Sequence, residues 1–151
     1  MEALDAVYID EATELVNELE EALLSLEQNI RDDSAVENVF RVMHTLKGSS
    51  NMFGYDHIGE LTHDLENVYD KIRSNQLALS EHIYEITFQS VDHIRNLLDD
   101  KDLSDVKNVT LQKSLIKSIG EIEKNQKDPV SNSVIEDKVA DTETVYVFFK
   151  P

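Results

Sequence analysis

Apolar residues recur in steps of three and four along most of this chain, and the recurrence breaks at short polar interruptions. From Leu4 to Ile30 they fall at Leu4, Val7, Tyr8, Ala12, Leu15, Leu19, Ala22, Leu23, Leu26 and Ile30, one face of a helix, with Glu14, Glu18, Glu20 and Glu21 mostly opposite. Asp32-Asp33-Ser34 interrupts the pattern, and Ser34-Ala35-Val36-Glu37 reads as a capping box that opens a second helix. Its stripe is Val36, Val39, Phe40, Met43 and Lys47, flanked by His44 and Leu46, and it should close near Phe53-Gly54, where glycine can take the left-handed conformation. Asp56 is the expected N-cap of a third helix with Ile58, Leu61, Leu65, Val68, Tyr69 and Ile72 inward, ending at Ser74-Asn75. Ser80 caps a fourth, with Ile83, Ile86, Thr87, Ser90, Ile94, Leu97 and Leu98 inward. Ser104 starts a weaker fifth carrying Val106, Val109, Leu111, Leu115, Ile119 and Ile122. Short connections make successive helices antiparallel neighbours, so the expected fold is all-α: an up-down bundle of five helices, a four-helix core plus a C-terminal helix.

Past Lys124 the pattern changes. Residues 1–124 read as the helical domain. Residues 125–143, with Pro129 and many Ser, Asn and Asp, read as a linker. Residues 144–151, rich in Val, Tyr and Phe, read as the truncated first strand of a following domain. Composition supports this picture. The chain has 151 residues, enough for one core, and its 4 glycines and 2 prolines leave few helix breakers. A net charge of −17 disfavours nucleic acid and favours a partner with a basic docking face. The absence of cysteine excludes disulfides and zinc–thiolate sites. No apolar run is long enough to span a bilayer and no signal peptide is evident, so direct membrane contact is not expected and the cytoplasm is the default compartment.

Candidate chemistry centres on histidine. His57, His82 and His93 sit near helix starts or among polar residues and are expected at the surface. His44 lies at the edge of the second helix's apolar stripe, with Lys47 one turn on. Gly48 follows, although glycine inside a helix costs roughly 1 kcal/mol relative to alanine; close approach of another surface is a reason to keep it. Ser49 and Ser50 are also small. On the third helix His63 and Glu66 share a face, and antiparallel packing can turn that face toward His44 and Lys47. Such a set suits phosphoryl transfer. A neutral imidazole is nucleophilic, a carboxylate on the other ring nitrogen fixes its tautomer and stabilises the charge that develops, and a lysine offsets charge on phosphoryl oxygens. Which ring nitrogen attacks stays open at this level. A plain interaction bundle and a metal-binding bundle are the alternatives. Glu60 to His63 forms an E-x-x-H pattern, but no second copy exists for a di-iron site; a single-metal site would use His44, His63 and Glu66.

His44-Thr45-Leu46-Lys47-Gly48-Ser49-Ser50 resembles the H-x-x-K-G signature of histidine-phosphotransfer (HPt) domains. Asn51-Met52-Phe53-Gly54 through His63-Asp64-Leu65-Glu66-Asn67 is similar to the N-terminal phosphotransfer domain of CheA-type chemotaxis histidine kinases. The resemblance spans about residues 4 to 123. Where many CheA domains have Gly-Ala, this chain has Ser49-Ser50, as other HPt domains do. The resemblance implies that His44 is phosphorylated, that Glu66 holds its other ring nitrogen, and that His63 and Lys47 complete the network. Gly48 and Ser49 would then lie on the docking surface. It also implies two partners, the ATP-binding domain of a histidine kinase and the receiver domain of a response regulator, with ATP and Mg belonging to the parent kinase. No glycine-rich nucleotide loop is present here, so this piece is expected to be a carrier without a cofactor of its own; the resemblance places dimerisation in another domain, so a monomer is expected. An HPt module of a hybrid sensor kinase, or a free-standing relay protein, is the other reading within the family.

Overall fold

The computed structural model describes residues 2–127. They form α1 (Glu2–Gln28), α2 (Asp33–Met52), α3 (Asp56–Arg73), α4 (Glu81–Leu97) and α5 (Val106–Lys127), with no strand among the described residues. The all-α, five-helix expectation holds. The chain divides between Gly120 and Glu121 into two units, and the packing below is that of the first. α5 continues past Lys124 to Lys127; the rest of the expected linker and the strand at 144–151 lie outside the described residues.

The helix boundaries follow from local chemistry, though not always from the expected residue. Asp32, not Ser34, caps α2: its carboxylate accepts from the Ala35 amide at 3.1 Å. Aspartate and serine are about equal as caps, so the two neighbouring candidates were not separable by type. Tyr55, not Asp56, occupies the N-cap of α3 and offers no side-chain bond. Ser80 caps α4 as expected, accepting from the Ile83 amide at 3.2 Å. α5 begins at Val106, not Ser104. Asp100 accepts from the Ser104 and Asp105 amides at 2.8 and 2.9 Å and holds the loop, and Asp105 accepts from the Lys107 amide at 2.8 Å. Gly54 takes φ +84° after α2, a conformation that disfavours any side chain.

Cross-helix pairs set the directions. Glu37 meets Arg73, His44 meets Glu66, and the Asn51 side chain lies against Gly59, so α2 and α3 run antiparallel. They are also the most extensively packed pair. Tyr8, near the start of α1, shares a 2.6 Å hydrogen bond with Ser50, near the end of α2. Arg95 of α4 reaches Asn17 and Glu20 of α1. The core between them holds Tyr8, Leu19, Leu23, Met43, Leu46, Leu61, Leu65, Tyr69 and Ile94, each 1% exposed or less. Several expected core residues are not in it. Leu4, Val7 and Ile30 at the ends of the α1 stripe are exposed, as is Val106 at the start of α5; Met52, in the last turn of α2, is exposed too.

His93 is the main reversal. Expected at the surface, it is fully buried on α4. Gln112 of α5 donates to the His57 carbonyl at 3.0 Å and to Glu60 at 3.2 Å. That turns the Gln112 oxygen toward His93, whose Nε2–H donates to it at 2.8 Å. The network thus selects one tautomer and leaves Nδ1 as a buried lone pair without a partner. Burial pushes the imidazole below its ordinary 6.5, with the Gln112 bond opposing. A lowered folded-state value means that the stabilisation is complete above pH 6.5 and is lost as pH falls through the folded pKa. Gln112→Ala is expected to cost about 1–3 kcal/mol at neutral pH, because it strands the buried Nε2–H. Urea unfolding checks this, and an unchanged midpoint would show that the network contributes nothing to stability.

Candidate functional site

Antiparallel packing of α2 on α3 brings three of the expected residues together. His44 stands on the outer side of α2 with its side chain 64% exposed. Its Nδ1 lies 2.5 Å from Glu66 Oε2. Lys47, one turn further along α2, places Nζ 2.7 Å from Glu66 Oε1. Glu66 comes up from α3 with a side chain only 10% exposed, so it is held from both sides beneath a solvent-facing imidazole. Burial alone would raise the carboxyl's pKa, but hydrogen bonds from Lys47 and His44, and the positive charge of Lys47, outweigh it and hold the group below its usual 4.5. Glu66 is therefore ionised near neutral pH and can only accept. Nδ1 must then carry the ring hydrogen, and the lone pair of the neutral ring sits on Nε2, on the edge turned away from the carboxylate.

The other expected residues divide. His63 is exposed one turn before Glu66, and no hydrogen bond joins it to His44, Lys47 or Glu66. Gly48 is exposed in mid-α2, and a Cβ there would meet nothing within 4 Å. Among the described residues nothing therefore demands glycine at that position. Ser49 turns its hydroxyl back to donate to the Thr45 carbonyl at 3.1 Å. Among the described residues no group of three or more His, Cys, Asp or Glu is arranged to hold a metal ion, and Glu60 of the E-x-x-H pattern accepts from Gln112 instead.

Two residues at the site escaped the sequence reading. Phe40, one turn before His44, lies with its ring 6.4 Å from the imidazole centroid and only 18° off parallel. The Arg73 guanidinium sits 3.8 Å from the Phe40 centroid. Arg73 is itself tied to Asp70 at 2.9 Å and Glu37 at 3.2 Å. The i, i+4 spacing of Phe40 and His44 was a signal for the first contact. Nothing in the sequence alone pointed to the second, which crosses between helices.

Two depressions on the surface, one of about 370 Å³ between Leu26, Ile30 and Tyr84 and another between Asp99, Asp105 and Leu111, are lined by other residues. The imidazole is well exposed, and its Nε2 edge lies on the side away from Glu66. No helix among the described residues is long and apolar enough to cross a membrane.

Comparison with known proteins bears on the family and the fold. The model of the Hpt domain family matches residues 3–102. The chemotaxis protein CheA of Listeria monocytogenes is 37% identical over 94 residues, which cover 62% of this chain and 15% of that protein. CheA of Bacillus subtilis is 39% identical over 92 residues, covering 61% and 14%. The chain thus matches only about one-seventh of the length of these relatives. Among solved structures, the CheA phosphotransferase domain from Thermotoga maritima superposes with a TM-score of 0.63 at 33% identity, covering 65% of this chain and 93% of that one. The phosphorylated P1 domain of CheA3 in complex with CheY6 from R. sphaeroides does so with a TM-score of 0.70, covering 81% and 99%; at 24% identity it attests the fold.

Proposed function

The chain belongs to the Hpt domain family, and from that premise we propose that it is a phosphoryl carrier of a CheA-type chemotaxis kinase, with His44 as the carrier residue. The observation that carries the reading is the hydrogen bond from His44 Nδ1 to a buried, ionised Glu66, which leaves Nε2 as the exposed nucleophile. The Nε2 lone pair attacks phosphorus. A P–N bond forms while the bond from phosphorus to the donor's leaving group breaks, and that group keeps the electron pair. The ring then carries hydrogen on Nδ1 and phosphorus on Nε2, and its positive charge faces the carboxylate. In the return step an aspartate oxygen of a receiver domain attacks phosphorus, and the P–N electron pair goes back to Nε2. Lys47 directs one N–H at Glu66 and has two others to offer to phosphoryl oxygens. His63 would act only at the rim of the site.

The donor in this reading is the ATP-binding domain of a histidine kinase, which would bring ATP and Mg; the acceptor is a response regulator. The R. sphaeroides P1 domain of the same fold is bound to such a protein, CheY6. The exposed imidazole suits both partners, since each must reach it from solvent. A cytoplasmic setting follows from the same partners.

The test is intact-mass measurement after incubation with phosphoramidate, a small donor that needs no partner protein. One acid-labile phosphoryl group per chain is the expected result. No uptake from phosphoramidate, and none from a CheA kinase core with ATP, would overturn the reading and return the bundle to a plain interaction role. Gly48 provides a second check. Gly48→Ala should raise helix stability by about 0.5–1 kcal/mol, since the methyl meets open space. It should also slow transfer to the receiver domain while uptake from phosphoramidate stays unchanged. A stabilised variant with unaltered transfer would remove Gly48 from the docking surface.

A further inference from the structure

We propose that Phe40 and Arg73 are a positioning pair for His44: Arg73 clamps the Phe40 ring, and the clamped ring sets the plane of the imidazole. The inference rests on the carrier reading above and adds the means by which the nucleophile is aimed. A hydrogen bond to Nδ1 fixes one atom of the ring. As a single distance restraint it leaves room for χ1 and χ2 to rock together around it, and χ2 of histidine is a soft torsion. The side chain is 64% exposed, so core packing does not supply the missing constraint. Among the described residues the aromatic ring beside the imidazole is Phe40, one turn earlier on α2 and nearly parallel to it. A ring at that position favours an imidazole plane roughly parallel to its own.

Phe40 itself is only half-buried, so it too needs an anchor. Arg73 provides one from α3, with its guanidinium carbon 3.8 Å from the ring centroid, well within cation–π range. The guanidinium is restrained in turn: its Nε is held by Asp70 on the same helix and its Nη1 by Glu37 on the facing helix. Two lines of support therefore converge on His44 across the seam between α2 and α3. Glu66 and Lys47 hold the ring at Nδ1. Phe40, with Arg73, Asp70 and Glu37 behind it, holds its plane. The sum of these restraints leaves Nε2 directed away from the bundle. A planar guanidinium can lie flat against an aromatic ring and an ammonium cannot do so equally well, so Arg73→Lys is expected to restore little.

The experiment uses the whole chain and two readouts, of which only one depends on phosphorylation. The first is the initial rate of His44 phosphorylation by phosphoramidate. The second is the order of the His44 ring, measured by ¹³C relaxation at Cδ2. Phe40→Leu keeps an apolar side chain without a ring plane, Phe40→Tyr restores the ring, and Arg73→Gln removes the clamp at a partly exposed position where the bundle stays folded. Phe40→Leu and Arg73→Gln should each lower the rate roughly three- to tenfold and loosen the His44 ring. Phe40→Tyr should restore both, which a purely structural role for Phe40 would not require. Wild-type rates and unchanged ring order in Phe40→Leu and Arg73→Gln overturn the proposal. If wild type takes up no phosphoryl group while the variants still loosen the ring, the carrier reading falls and the clamp stands.

Discussion

His44→Gln should take up no phosphoryl group from any donor while keeping the stability of the parent chain. Both halves of that result follow from the same geometry. The imidazole edge that would attack is exposed, so its removal leaves no cavity and no buried group stripped of its shell. The one partner that loses a bond, Glu66, keeps Lys47 at 2.7 Å. A surface change of this kind moves stability by no more than about 0.5 kcal/mol. Phosphorylation, in contrast, should fall to background, because glutamine offers no nitrogen lone pair of comparable basicity. The measurement pairs intact mass after phosphoramidate with a thermal melt of the same sample. A His44→Gln chain that is still labelled would place the acceptor elsewhere. A chain that loses label because it unfolds would leave the site unassigned, and the melt distinguishes the two.

Glu66→Ala should slow phosphorylation roughly ten- to hundredfold without abolishing it, the scale on which loss of a group orienting a reactive histidine is felt. Nε2 remains available, but the ring can now hold its hydrogen on either nitrogen, and the cation formed by attack no longer faces a carboxylate. Stability should change far less, within about 1 kcal/mol, because both partners, Lys47 and His44, can turn to water. The pH dependence carries the sign of a depressed carboxyl. Glu66's contribution is present above its ordinary 4.5 and disappears as pH falls through its lower folded value, so wild type and Glu66→Ala should converge in stability in acid. The check is the initial rate and the urea midpoint for both chains from neutral pH downward. Equal rates for the two chains at neutral pH would show that the Nδ1 contact does not aim the nucleophile.

The helices were legible because each carries its apolar residues at helical spacing and because polar clusters separate them. Which face each helix buries was less legible. The spacing on α2 suggested Val36, Val39, Phe40 and Met43, whereas the structure also buries Val42, Leu46 and Ser50 and leaves Phe40 half-covered. α2 is packed by α1 on one side and α3 on the other, so its buried arc is wider than one stripe, and a single periodic series marks only part of it. His93 shows a different limit. Its burial depends on Gln112, which lies on another helix and can satisfy it from there; a lone histidine reads as a surface residue until that partner is known. At the site, His44, Lys47 and Glu66 were readable from i, i+3 spacing and the motif around them. His63 had the same spacing, yet the side chain points to solvent. Phe40 and Arg73 were passed over because a phenylalanine on an apolar stripe and an arginine in a last turn each have an ordinary explanation.

In the proposed carrier role, the exposure of His44 also governs timing. Two proteins that must each engage the same imidazole cannot do so together, so donor and acceptor would take turns. The carrier then behaves as a shuttle with a single berth: a donor that lingers after handing over its phosphate blocks delivery, and an abundant acceptor that lingers blocks reloading. Flux through such a shuttle is greatest when neither partner binds tightly. Modest, short-lived encounters are therefore a requirement of the design, and tightening either one beyond need should slow the relay as a whole.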